Sequence, residues 1–270
     1  MRIARSDDFD RWDDVVTITK DRYDSASIER SCLHRGKDGL WSYFTSYVHP
    51  VDGRWCTTVV KAPRVAELNP ANRKVIFSGP PLGLEGVKDP WILEQDGIYY
   101  LFLSVATPTP KTSEGSHTTL DIFNTGECKS ATGLAISRDL DRWEWQGVVY
   151  SPGPTGWDQY CRRINSVVVI PDQSAQATRF LAFYDGSASH LENYEEKCGI
   201  AVSKDLRQWH SVSPKQPVFT SPHASTSLRY VDAKFANGAM HLFYEFARPD
   251  GAHDMRVATC SVSAVAGLVP

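Results

Sequence analysis

Apolar residues fall in short runs rich in β-branched and aromatic side chains, separated by clusters of Gly, Pro, Asp, Asn and Ser, and no run keeps a helical period. The runs come in pairs. SIERSCLH precedes LWSYFTSYV, VKDPWILE precedes GIYYLFLSV, RINSVVVI precedes RFLAFYDG, and LRYVDAKF precedes MHLFYEFA. Each pair reads as two antiparallel strands, because such residues suit a pleated, half-buried surface.

A further hairpin follows some of these pairs. GLAI at residues 133–136 leads into SRDLDRW and EWQGVVY, and GIAV at residues 199–202 leads into SKDLRQW, which begins 66 residues after the first copy. A third copy, SDDFDRW, occupies residues 6–12. The phrase predicts a tight polar turn in which Asp8, Asp139 and Asp205 accept backbone N–H groups and Trp12, Trp143 and Trp209 pack between sheets. It reads as scaffold, not chemistry.

Four strands recurring every roughly 40 to 75 residues are the signature of a β-propeller, whose blades are four-stranded antiparallel sheets around a channel. The expected fold is therefore all-β, one propeller domain over residues 1–270 with four inner hairpins legible. The last pair is followed by only one more strand, MRVATCSV, so N-terminal strands are expected to close the ring by completing that blade, which removes exposed edges.

Composition narrows the function. The chain has 270 residues, 41% hydrophobic and 23% charged, as in ordinary globular proteins. A net charge of −3 with no block of like charges excludes a nucleic-acid footprint. No run approaches the ~20 apolar residues of a membrane helix and MRIARSDDFDRW carries no export signal, so no membrane partner and a cytoplasmic location are expected. The six cysteines are scattered, with no C-x-x-C pair, and read as reduced, mostly buried thiols; neither a metal site nor a cofactor is expected.

In a propeller the innermost strands line the channel, so polar residues at their starts converge. Here those starts carry Glu29 and Arg30, Lys88 and Asp89, Arg162, Arg163 and Asn165, and Arg229 and Asp232. A strand that only packs needs none of these, and the four sets together predict a polar pocket.

The segments GVKDPWILEQDGIYYLFLS and GLAISRDLDRWEWQGVVYSP resemble the blades of glycoside hydrolases of the family 43, 32 and 130 group, in which an inner strand with a DP dipeptide precedes a YYLF-type strand and an S-x-D-L-x-x-W hairpin. The resemblance runs from about residue 27 to residue 244. It implies five blades, and carboxylates on separate blades that activate water or attack the sugar, protonate the leaving oxygen, and tune their neighbours. By position Glu29 falls at the first-blade carboxylate, where the group has Asp, and Asp89 matches the second-blade Asp. The third inner strand, CRRINSV, offers no acid; the candidates are Glu195 and Glu196 in SHLENYEEKCG, and Asp232 or Glu245 near the C-terminus.

Sugar recognition is expected from the aromatic faces of Trp91, Trp157, Tyr160 and Tyr184, and from hydrogen bonding by Arg163, Arg229, Asp185, Asn193 and His223. The insertion ATPTPKTSEGSHTTLDIFNTGECKS reads as a specificity loop or lid that brings His117, Asp121 and Glu127 to substrate. Together these imply a glycosidase acting on a small glycoside or oligosaccharide. Two alternatives stay open: a phosphorylase binding phosphate through Arg162, Arg163 and Arg229, and a non-catalytic sugar-binding or interaction propeller.

Overall fold

The computed structural model describes residues 1–171 and 178–268, which form strands, short 3-10 turns and one short helix. They group into two compact units, residues 1–129 with 133–147, and residues 130–132 with the chain from 148 onward. No helix among the described residues is long and apolar enough to cross a membrane.

In the first unit, β1 (Arg2–Arg5) pairs antiparallel with β2 (Asp13–Thr17). β3 (Ile28–Arg35), β4 (Trp41–Val48), β5 (Trp55–Ala62) and β6 (Lys74–Phe77) follow as a four-stranded antiparallel meander. β7 (Gly86–Gln95) and β8 (Ile98–Pro108) form the next hairpin, continued by β9 (Cys128–Ser137) and β10 (Glu144–Tyr150). In the second unit, β11 (Cys161–Pro171), β12 (Thr178–Ser187), β13 (Lys197–Ser203) and β14 (His210–Ser211) make another meander, and the turn expected between β11 and β12 lies outside the described residues. β15 (Leu228–Ala236), β16 (Ala239–Ala247) and β17 (His253–Cys260) form a three-stranded sheet, after which the chain enters α1 (Val262–Ala266).

All four inner hairpins read from the sequence are present. The expected ring closure differs: among the described residues β1 and β2 form a two-stranded sheet of their own and add no strand to β15–β17.

Each unit has its own apolar core. Tyr23, Tyr43, Tyr47 and Val60 gather in the first, and Leu181, Phe183, Ile200, Val231 and Met240 in the second. Fully burying a side chain such as Phe183 contributes about 1.5–3 kcal/mol. Two strand glycines make room for aromatic rings. A Cβ on Gly133 would lie 2.2 Å from Trp145, and one on Gly199 would lie 2.3 Å from Tyr184. These are the leading glycines of GLAI and GIAV, so that part of the repeat encodes an aromatic packed on a bare backbone.

The repeated heptapeptide has one geometry in all three places. The Oγ of Ser6, Ser137 or Ser203 accepts the N–H groups two and three residues on, at 2.7–3.3 Å. Oδ1 of Asp8, Asp139 or Asp205 likewise accepts two later N–H groups at 2.8–2.9 Å. The fourth residue is left-handed each time, with φ 64° at Phe9, 61° at Leu140 and 64° at Leu206. Trp143 meets Phe44 edge-on at 5.8 Å and Trp209 is buried, whereas Trp12 is half exposed.

Candidate functional site

The strands expected from the sequence to be inner ones, β3, β7, β11 and β15, share a defect near their starts. Their register breaks between Glu29 and Ser31, Lys88 and Trp91, Ile164 and Ser166, and Arg229 and Asp232. Such bulges set an extra residue against the partner strand and re-aim side chains. Three of them contain a left-handed non-glycine residue, Arg30 (φ 22°), Asp89 (φ 53°) and Tyr230 (φ 57°). That conformation costs about 1–3 kcal/mol and persists only where the surroundings over-determine it.

Hydroxyl groups supply the determination. Ser46 Oγ accepts the Asp89 N–H at 2.7 Å and donates to the Arg30 carbonyl at 3.4 Å. Thr132 Oγ1 accepts from Ile164 N and donates to Arg162 O, both at 2.9 Å. Ser166 Oγ accepts from Ala233 N at 3.1 Å and donates to Val231 O at 2.7 Å. Asp185 Oδ1 takes the Tyr230 N–H at 3.0 Å, so Asp185 serves the bulge of the next inner strand. The sequence does not single out Ser46, Thr132 and Ser166, because β4, β9 and β11 each carry other polar residues as well.

In the first unit the bulges set Glu29, Lys88 and Asp89 on successive inner strands. Asp89 is 1% exposed. Lys88, equally buried, donates from Nζ to Glu29 Oε2 at 2.9 Å, and its Nζ lies 4.8 Å from the ring centroids of both Trp55 and Phe123. Glu29 keeps about a third of its side chain (31%) open to solvent. Trp91 is buried against Phe102 at 6.3 Å, a core position rather than an open platform.

In the second unit an ion-pair chain joins both arginines. Glu196, buried to 1%, pairs through Oε1 with Arg163 and through Oε2 with Arg229 Nη1 at 3.0 Å, and Arg229 also meets Glu245 at 2.9 Å. Burial alone would raise the Glu196 carboxyl, but Arg163 and Arg229 outweigh it and hold it below the usual range. Burial pulls Arg229 down, and Tyr230, Glu196 and Glu245 more than reverse it, so the guanidinium stays charged. Glu195 lies apart from this chain, accepting from Ser225 Oγ and 3.3 Å from His253 Nε2.

Other expected residues sit differently. Tyr184 is fully buried, stacked on Trp157 at 5.8 Å and donating to Asp158 Oδ2 at 2.8 Å, so it presents no face to a ligand. Arg162 is held bidentate by Asp158 at 2.8 and 3.0 Å. Asn165 is buried in its bulge, His223 packs edge-on against Phe246, and Asp232 pairs with Lys234 at 3.3 Å near the surface.

The insertion is anchored by the residues expected to touch substrate. His117 Nε2 lies 2.8 Å from Glu85 Oε2, which also pairs with Arg54. Burial would raise the Glu85 carboxyl, but hydrogen bonds from His117 and Arg54 lower it. Asp121 accepts from Phe123 N and Asn124 Nδ2, and Glu127 accepts from Ser116. Asp121 and Glu127 fold the loop onto itself, and His117 ties it to Glu85 before β7.

No known family model matches the sequence, and no curated protein matches it. Solved structures do. An endo-arabinase from Bacteroides thetaiotaomicron superposes with a TM-score of 0.63 at 12% identity, over 97% of this chain and 85% of that one. The chain shares the fold of glycoside hydrolases. A family-43 glycoside hydrolase matches this fold with a TM-score of 0.58 at 12% identity, over 86% of this chain and 71% of that one. A β-1,2-mannobiose phosphorylase from Listeria innocua matches with 0.60 at 15% identity, over 99% of this chain and 68% of that one. The acids at the bulges of β3, β7 and β15 are Glu29, Asp89 and Asp232.

Proposed function

We propose that this protein is a glycosidase that hydrolyses a small glycoside or oligosaccharide, on a β-propeller scaffold read from its repeated meanders. The observation that carries the reading is Asp89, an acid in a DP dipeptide, buried and held in a left-handed bulge by Ser46. Strained polar residues at one edge of a rigid scaffold mark functional sites.

In the proposed reaction Asp89 gives its proton to the glycosidic oxygen as the C–O bond breaks. Water bonds to the anomeric carbon and its proton passes to Glu29, whose carboxylate faces the Lys88 ammonium and is partly open to solvent. Arg163 and Arg229 position rather than react. Their charges are matched by Glu196 and Glu245, which supports water over phosphate as acceptor.

A panel of 4-nitrophenyl glycosides, including the α-L-arabinofuranoside and the β-D-mannopyranoside, tests this with and without phosphate. Turnover independent of phosphate, and lost by about 10³-fold in Asp89→Asn with an unchanged circular dichroism spectrum, is expected. Phosphate-dependent turnover would reassign the protein as a phosphorylase. Full activity in Asp89→Asn would remove Asp89 from the mechanism, and binding without turnover would leave a sugar-binding protein.

A further inference from the structure

Tyr194 and Tyr230 stand on different elements of the second unit, yet their rings meet one guanidinium. The Arg229 Cζ lies 4.7 Å from the Tyr230 ring centroid and 5.9 Å from that of Tyr194. Both tyrosines are left-handed, with φ 57° at Tyr230 and 76° at Tyr194. Tyr230 takes this conformation from the bulge of its strand, whereas Tyr194 adopts it in the loop before β13, at a cost in free energy for so bulky a residue.

Tyr194 is the more telling. The residue is 45% exposed, so full burial does not offset the backbone cost, and a glycine would take that φ without strain. The loop is nevertheless held firmly on both sides. Glu192 Oε2 accepts the Ala188 N–H at 2.8 Å, Glu195 N–H donates to Glu192 O at 2.9 Å, Glu195 is tied to Ser225, and Glu196 is locked to both arginines. Tyr230 is fixed as well, through its N–H on Asp185. The guanidinium that both rings approach is clamped by Glu196 and Glu245, so neither ring can follow a mobile partner.

We infer that Tyr194 and Tyr230, set around Arg229, form a stacking platform for one ring of the carbohydrate substrate, with Tyr194 offering its open face. A sugar ring has a face of C–H groups that packs on an aromatic π-surface and an edge of hydroxyls that pairs with charged side chains. This site offers both: a half-exposed tyrosine, and beside it Arg229 and the partly exposed Glu245. The inference rests on the reading that the protein handles carbohydrate, but not on hydrolysis. It makes Tyr194 a binding residue that sets affinity rather than bond cleavage.

The experiment compares wild type, Tyr194→Phe and Tyr194→Gly, using arabinotriose and β-1,2-mannobiose as probes in calorimetric titration, thermal melts, and kinetics on whichever 4-nitrophenyl glycoside is turned over. Tyr194→Phe keeps the ring and should bind within twofold of wild type. Tyr194→Gly should bind about tenfold more weakly, with KM raised by a similar factor and kcat nearly unchanged. Its Tm should stay level or rise, because glycine relieves the strain at φ 76°. A lowered Tm together with lost affinity would assign Tyr194 a structural role and overturn the platform. So would wild-type affinity in Tyr194→Gly, or a wild type that binds neither sugar. Tyr194-dependent binding without turnover by wild type would sink hydrolysis and leave the platform standing.

Discussion

Lys88 donates to Glu29 at 2.9 Å across the neighbouring inner strands β7 and β3, with the ammonium buried and the carboxylate partly in solvent. A buried ammonium needs compensation, and here a carboxylate and the faces of Trp55 and Phe123 provide it. Glu29→Gln removes the negative partner and should destabilise the fold by about 2–3 kcal/mol, the lower range for breaking a pair because Glu29 is not fully enclosed. Adding Lys88→Met should restore part of that loss. Urea unfolding of the two single variants and the double variant measures the coupling, and strict additivity would show that the pair contributes nothing.

Glu196 is the hinge of the second unit's charge network. Glu196→Gln leaves Arg163 and Arg229 without their shared carboxylate in a buried place, and a loss of about 3–5 kcal/mol is expected. Asp232→Asn, at the surface beside Lys234, should change stability by less than about 0.5 kcal/mol. Chemical denaturation of the two variants ranks them, and equal effects would mean that Glu196 is not the anchor its geometry indicates.

The three heptapeptide turns should respond to acid together. Asp8 and Asp139 are lowered from the ordinary value of 3.8 chiefly by backbone N–H bonds, and in Asp205 those bonds outweigh a desolvation that acts the other way. A carboxyl lowered in the folded state contributes stability that is complete above the unfolded value, near 3.8, and is lost as pH falls through the folded value. Carbonyl-detected NMR titration should therefore find all three titrating below 3.8, with their contribution to stability lost only as pH falls below about 4. A normal titration of Asp139 would show that its turn is not capped as described.

The repeat, the paired apolar runs and the DP dipeptide were legible because they are local. A turn capped by Ser and Asp and a strand of β-branched residues are each written within a few neighbouring positions. The bulges were not, since a register slip depends on the partner strand, and so the bulge-holding roles of Ser46, Thr132 and Ser166 stayed hidden. The same reason explains Tyr184: in sequence it is an aromatic near an inner strand, but the bare backbone at Gly199 receives its ring in the core. His117, Asp121 and Glu127 looked like substrate contacts because their loop is long, and only the fold reveals that they hold it in place.

The sequence by itself determined the all-β class, the four inner hairpins, the capped turns and the acids at the inner-strand starts, since strand periodicity and turn chemistry act over short stretches of chain. Tertiary structure decided which charges meet. It paired Lys88 with Glu29, closed Glu196 between two arginines, and set Tyr194 and Tyr230 around Arg229, because burial makes a charge seek its partner in space and distance along the chain does not limit that choice.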